Sequence, residues 1–242
     1  MAGAAKWVLT GSAVLLLAVG GEFWWIHHQN AESQVIPVAK EAKADPDDLV
    51  FVKSEHPMSL KDEKDLKGRT LWVSAGGQMD YYPFVGGKVD FAHSQGVLLG
   101  AEPIVAKDAV EQVAPAKTAF RIPAGDKQVL LVFTKANDPK EYATAIGFKQ
   151  AGDYTFETDQ IYFYDDPHKL FSYWGPEVWK GIDTHTAVLG MSERQMQMAL
   201  GQVSAPHGDA MGDRMVTFDD QGKPKNVTFV NNKATTIVDV KQ

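Results

Sequence analysis

The longest apolar run comes first in the chain. Trp7 to Gly21 carries no charge, and the stretch from Trp7 to Ile26 is 20 residues, about 30 Å as a helix and enough to cross a hydrocarbon layer. Two expectations follow. In a cleavable signal peptide, Lys6 is the basic start, Trp7 to Val19 the apolar stretch, and Ala18-Val19-Gly20 the small-residue cleavage site. In an uncleaved signal anchor, Trp7 and Trp24-Trp25 mark the two membrane interfaces. The aromatic ends favour the anchor. Glu22 counts against it, although a carboxylate within about one turn of the interface can reach water. Lys6 precedes the apolar run, which places the C-terminal bulk on the outer side. Residues 27–48, with Pro37, Pro46 and alternating charges, read as a tether.

After the tether the period changes twice. Ser59 to Leu66 reads as a short helix with Ser59 as its cap and Gly68 as its stop. From Thr70 to Tyr164, short runs rich in Val, Ile, Leu and aromatics predict strands at 70–74, 104–113, 128–133, 142–148 and 160–164. Gly76-Gly77, Gly86-Gly87, Pro123 to Asp126 and Asn137 to Pro139 punctuate them as turns. Helical spacing returns at Asp166-Pro167. Pro167 to Trp174 and Pro176 to His185 each open on a proline suited to a first helical turn. Ser192 to Gln195 forms a capping box, Met196, Ala199 and Leu200 share one face, and Gly201 is the stop. Three strands follow, 214–218, 226–230 and 234–240, joined by turns at Asp219–Gly222 and Asn231-Asn232.

The expected fold class is therefore α+β: an N-terminal membrane-spanning helix, a small antiparallel β barrel or sandwich, then helices packed on a three-stranded antiparallel sheet. The domain divisions are 1–26 for the signal anchor or signal peptide, 27–48 for the tether, 49–165 for the β-rich domain and 166–242 for the helix-and-sheet module. Aromatics from Tyr154 to Trp179 have the spacing of a hydrophobic seam between the last two.

The run Gly190-Met-Ser-Glu-Arg-Gln-Met-Gln-Met-Ala-Leu-Gly201 precedes a strand, a Gly turn, and Asn-Val-Thr-Phe-Val-Asn-Asn-Lys-Ala-Thr. Over about the last 55 residues this pattern resembles the SmpA/OmlA (BamE-like) domain. The resemblance implies an exported α+β interaction module and carries no functional residue with it. The lipidated Cys of the assembly-factor lipoproteins has no counterpart here, because the chain contains no Cys. The Asp-Pro-His…Trp…Gly-Met-Ser arrangement is similar to that of uncharacterised exported bacterial proteins, a likeness that implies no activity.

Composition narrows the chemistry. A net charge of −7 argues against nucleic acid as a ligand, which selects for clustered Lys and Arg. Absence of Cys removes disulfides, thiolate metal sites and Cys nucleophiles. No Gly-x-Ser-x-Gly elbow, His-Glu-x-x-His helix or phosphate-binding Gly loop is present, and no cofactor is implied. Two constellations remain. Tyr81, Tyr82 and Phe84, on a loop between the two Gly pairs, offer exposed aromatic anchors for a partner; the other reading folds two of the three back as core. Asp165, Asp166 and His168 gather three candidate metal ligands. The plainer reading has Asp166 capping the helix that Pro167 opens.

The leading functional expectation is a non-catalytic protein-interaction or accessory-subunit module. It would be a single-pass protein of the bacterial cytoplasmic membrane, with its bulk on the periplasmic or extracytoplasmic side, and its partner another envelope or membrane protein. Contact would run through the Tyr81 to Phe84 stretch or the edge strand 234–240. In the accessory version, Gly11, Ser12, Gly20 and Gly21 would mark close helix contact. The alternative, from a different class, is a metal-assisted or acid/base hydrolase using Asp165, Asp166 and His168.

Overall fold

The computed structural model describes residues 46–75, 79–113, 115 and 127–240. The chain divides into two compact units, Met1–Leu49 and Val50–Gln242. The described part of the first is a single 3-10 turn over Pro46–Leu49. The second carries two antiparallel sheets.

The larger sheet has eight strands. They are β1 (Thr70–Val73), β2 (Tyr81–Val85), β3 (Lys88–Val89), β4 (Pro103–Val113), β5 (Lys127–Lys135), β6 (Asp138–Gln150), β7 (Asp153–Phe156) and β8 (Tyr162–Phe163). Their order is β3-β2-β6-β5-β4-β1-β8, with β7 on the far half of β6. The long strands β4, β5 and β6 form the middle. β5 is buried almost throughout, as a strand covered on both faces should be. Its period of two divides its side chains between two clusters. Val129, Leu131 and Phe133 join Leu71, Ile104, Ile146 and Tyr162; Leu130 and Val132 join Tyr82, Val89 and Ala143 under the β2–β3 hairpin. That hairpin turns on Gly86 and Gly87, both at positive φ (60° and 78°), the requirement of a two-residue hairpin turn.

A helix of one short turn and a half, α1 (Leu60–Lys64), packs on this sheet. Its capping box pairs Ser59 with Asp62. Another turn, α2 (Thr158–Ile161), leads into β8, where successive rings go to opposite sides. Tyr162 enters the core of the large sheet, and Phe163 enters the second core.

That second core lies between three helices and the smaller sheet. The helices are α3 (Pro167–Leu170), α4 (Pro176–Asp183) and α5 (Glu193–Leu200), with a 3-10 turn at Ser172–Trp174. The strands are β9 (Val203–His207), β10 (Met215–Phe218), β11 (Lys225–Val230) and β12 (Lys233–Asp239), in the order β12-β11-β10-β9. Phe171, Trp174, Trp179, Met196, Phe218 and Phe229 meet there. The expected capping box of α5 is present, Ser192 with Gln195. Asn231 and Asn232 turn β11 into β12 at φ 52° and 55°, a left-handed conformation that Asn tolerates.

Several expectations need correction. The expected α+β class gives way to a mostly β structure of an eight-stranded and a four-stranded sheet. Among the described residues the large sheet is an open path rather than a closed barrel, ending in two-residue strands at β3 and β8. The small sheet has four strands rather than three. The extra one, β9, has a single large apolar residue, Val203, which packs on the second core. Cross-strand bonds add to that contact: the Ser204 hydroxyl donates to the Thr217 carbonyl, and His207 Nε2 lies 3.2 Å from Thr217 Oγ1. Gln160 and Ile161, expected in a strand, close the helical turn α2.

The membrane-spanning helix is also withdrawn. Among the described residues no helix is long and apolar enough to cross a membrane. The longest, α4 and α5, have eight residues each, about 12 Å of rise against the roughly 30 Å needed. Residues 1–26, on which the anchor was expected, and 27–45 of the expected tether lie outside the described residues. The single-pass membrane and periplasmic placement loses its basis with the helix.

Candidate functional site

Tyr81, Tyr82 and Phe84 lie in β2 rather than on a loop, with Tyr81 opposite Thr144 and Tyr82 opposite Ala143. Strand alternation sends the rings two ways. Tyr82 is buried against Phe91 at 5.2 Å between ring centroids. Half-buried Tyr81 meets Tyr142 edge-on at 5.2 Å, and Lys135 Nζ stands 4.2 Å above its ring while donating to its hydroxyl. Phe84 packs, partly buried, beside Tyr82 and Val89. All three are thus engaged with the fold.

The structure brings Asp166 and His168 together and leaves Asp165 exposed on the neighbouring turn. Asp166 caps α3, accepting from the His168 amide at 3.0 Å. His168 Nδ1 also lies 3.0 Å from Asp166 Oδ1, and Nε2 lies 3.0 Å from Asp183 Oδ1. The imidazole stacks on Trp179 at 4.1 Å. Both ring nitrogens therefore face carboxylates, an arrangement that ties α3 to the end of α4. Among the described residues, no three His, Asp or Glu side chains converge in a geometry suited to a metal ion.

Strand 234–240, expected as a contact surface, lies at a sheet edge: among the described residues β12 has a single strand neighbour, β11. In an antiparallel pair, alternate residues turn their N–H and C=O inward to the partner and outward. The Val240 amide bonds the Pro224 carbonyl, so in the register of β11 with β12 Ile237 and Asp239 face outward. Ala234 also faces outward, and its position is filled: its amide donates to the Met191 carbonyl, and the Gly190 amide donates to the Ala234 carbonyl. A bulge separates Ala234 from the open stretch. At the opposite edge, Pro206 removes a donor from β9.

One further constellation has no counterpart among the sequence-derived candidates. Glu63, on α1, is 1% exposed. One of its carboxylate oxygens accepts from the Thr158 hydroxyl; the other, Oε2, is buried without a hydrogen-bond partner. Burial raises its pKa from 4.5 to about 7, partly offset by the Thr158 bond. A pocket of about 220 Å³ opens beside it, lined by Glu55, Pro57, Asp62, Asp65, Leu66 and Tyr164.

The other acids of the pocket are already held. Glu55 pairs with Lys53 at 2.6 Å and Arg69 at 2.9 Å, and these bonds lower its pKa. Asp62 accepts from the Met58 and Ser59 amides at the helix start, and Asp65 pairs with Lys61 at 2.8 Å. The Arg69 guanidinium lies 5.1 Å over the Tyr164 ring. Burial first, then a hydrogen bond to Asp159, pushes the Tyr164 phenol upward. The buried Tyr162 hydroxyl is also without a partner.

A sequence signal for Glu63 exists. Leu60, Glu63 and Leu66 stand three apart on one helical face, and both leucines pack into the large-sheet core. A search for paired carboxylates or metal-ligand spacing does not register a single acid on an apolar stripe. Comparison with family models, curated proteins and solved structures finds no match for this chain.

Proposed function

We propose that this protein is a non-catalytic interaction module that takes an extended segment of a partner protein onto the outer edge of β12. The observation that carries the reading is the ladder left open among the described residues at Ile237 and Asp239, next to an Ala234 position at which the Gly190-Met191 segment already pairs. The edge thus accepts chain at one end and stays available at the other, as strand addition requires. The helix-then-strands order of residues 190–240, which resembles the SmpA/OmlA interaction module, points the same way. The Asp165/Asp166/His168 hydrolase gains no comparable support, because both His168 nitrogens are committed to carboxylates.

The test is selection of a displayed random-peptide library on the full chain, with Ile237→Pro as counter-target. The Ile237 amide points away from β11, so proline there removes an outward donor without breaking a ladder bond. Selected peptides should bind the wild type, lose binding to Ile237→Pro, and slow amide exchange at Ile237 and Asp239. Peptides that bind both proteins equally, or leave those two amides unprotected, would refute the reading.

A further inference from the structure

Native proteins blunt an edge strand with charge, proline, a bulge or brevity, because its free N–H and C=O groups otherwise take up another strand. Among the described residues, the large sheet ends in the two-residue strands β3 and β8, and Pro206 interrupts the β9 edge of the small one. β12 is protected at one end only. A bulge at Thr235 and the Gly190-Met191 segment close that end. Beyond it, Thr236-Ile-Val238 carries neither charge nor proline, and Val238 is 53% exposed.

This open stretch is complementary to itself. Past the bulge, Ile237 and Asp239 turn their N–H and C=O outward among the described residues. A second β12 laid antiparallel about a two-fold axis at Val238 sets Ile237 against Asp239 of the partner subunit, and Asp239 against the partner's Ile237. Each outward residue then exchanges both of its hydrogen bonds. A register centred on Ile237 instead sets Asp239 against the bulged Thr235 of the partner subunit and loses that match. With the axis at Val238, this side chain stands directly opposite the partner's Val238 in a pair without hydrogen bonds, where side chains lie closest. Ile237 packs on the second core, so strand alternation turns Val238 to the opposite, outer face. Charge does not oppose the match, because Lys225 lies 2.6 Å from Asp239 and neutralises it within its own chain.

We infer that a second copy of this chain occupies the open edge of β12, the two strands pairing antiparallel about Val238 and joining two four-stranded sheets into one. The inference rests on the strand-addition reading of this edge and names the occupant. The ladder is short, so the dimer forms as concentration rises and is not obligate.

The chain contains no Cys, so a single introduced thiol reports the pairing. Val238→Cys and, as control, Thr236→Cys are made in the full chain and mildly oxidised. Both positions are exposed and on one face of β12, but under this symmetry the two copies of residue 236 stand roughly 14 Å apart along the ladder, beyond disulfide reach. Val238→Cys should give a disulfide-linked dimer at least about tenfold faster than Thr236→Cys. In sedimentation the wild type should dimerise with concentration. Val238→Glu and Val238→Lys should each self-associate at least about tenfold more weakly, and a mixture of the two should recover the dimer. Equal cross-linking at the two positions, a wild type monomeric at every concentration, or undiminished association of Val238→Glu would overturn the inference. In that event, library peptides that still protect the Ile237 and Asp239 amides would leave strand addition standing, and peptides that do not would remove both readings.

Discussion

Burial of Glu63 makes stability depend on pH in a direction opposite to that of a salt-bridged acid. The carboxyl titrates at about 7 in the folded chain against 4.5 for an unperturbed glutamate. Between those values the native state keeps a proton that the unfolded chain has released, so stability falls as pH rises. Below 4.5 both states are protonated and the group contributes no difference. Above about 7 both are ionised, and the folded state bears the full cost of a buried charge. At about 1.4 kcal/mol per tenfold, the span amounts to roughly 3 kcal/mol. Glu63→Gln retains a polar group of the same size and cannot ionise. Urea unfolding of both proteins, followed by tryptophan fluorescence from about pH 5 to about pH 8, isolates the effect because every other titrating group is common to the two. The difference in unfolding free energy should move by roughly 2.5 kcal/mol in favour of Glu63→Gln over that range, since about 0.8 kcal/mol of the span already lies below pH 5. Curves that stay parallel, or a difference that grows toward acid, would refute the assignment of a proton to buried Glu63.

Three further predictions test the packing of the second core. Arg214→Ala strands the Glu193 carboxylate, which is 2% exposed and held by the Arg214 fork and the Gly212 amide; urea unfolding should show a loss of about 3–5 kcal/mol, the cost of an orphaned buried charge. Gly100→Ala places a Cβ 2.3 Å from the Met198 carbonyl oxygen of α5, and with backbone as the obstacle the chain should lose about 1–3 kcal/mol, read as a lowered melting temperature. Ser192→Ala removes the α5 cap while leaving the core intact, so denaturant unfolding should register a loss of about 1 kcal/mol.

Much of this architecture is carried by local chemistry. The helix starts at Ser59 and Ser192 follow from capping boxes, a signal confined to four residues. The Asn231-Asn232 and Gly86-Gly87 turns follow from the need for positive φ. The strand expected at 104–113 emerges within a residue of its bounds, whereas the one expected at 142–148 extends over Asp138–Gln150. What local chemistry does not carry is partnership. β9 offers only a short apolar signal, Val203, and depends on its ladder with β10 and on bonds to Thr217 for its place. Tyr81 to Phe84 resembles a loop between glycines because Gly86 and Gly87 turn a hairpin, and the burial of Tyr82 depends on β6 more than fifty residues away. The pairing of His168 with Asp183 likewise needs α4 folded back beside α3.

The same division explains which site features could be read in advance. The edge position of β12 was accessible because the last strand of a meander has one neighbour unless the chain returns to it. Its occupied and open portions were not, since they depend on where the Gly190-Met191 segment passes. Glu63 presents the reverse case. Ser59 to Leu66 contains two lysines and three acids and resembles a solvated helix when its composition alone is considered. Only the spacing of Leu60, Glu63 and Leu66 separates the acid facing the core from Asp62 and Asp65, which face the capping amides and Lys61. A charged residue on the apolar stripe of a short helix has either to lose its charge or to find a donor. Glu63 Oε2 finds no donor among the described residues, and the pH titration of the wild type against Glu63→Gln measures how far the charge is given up instead.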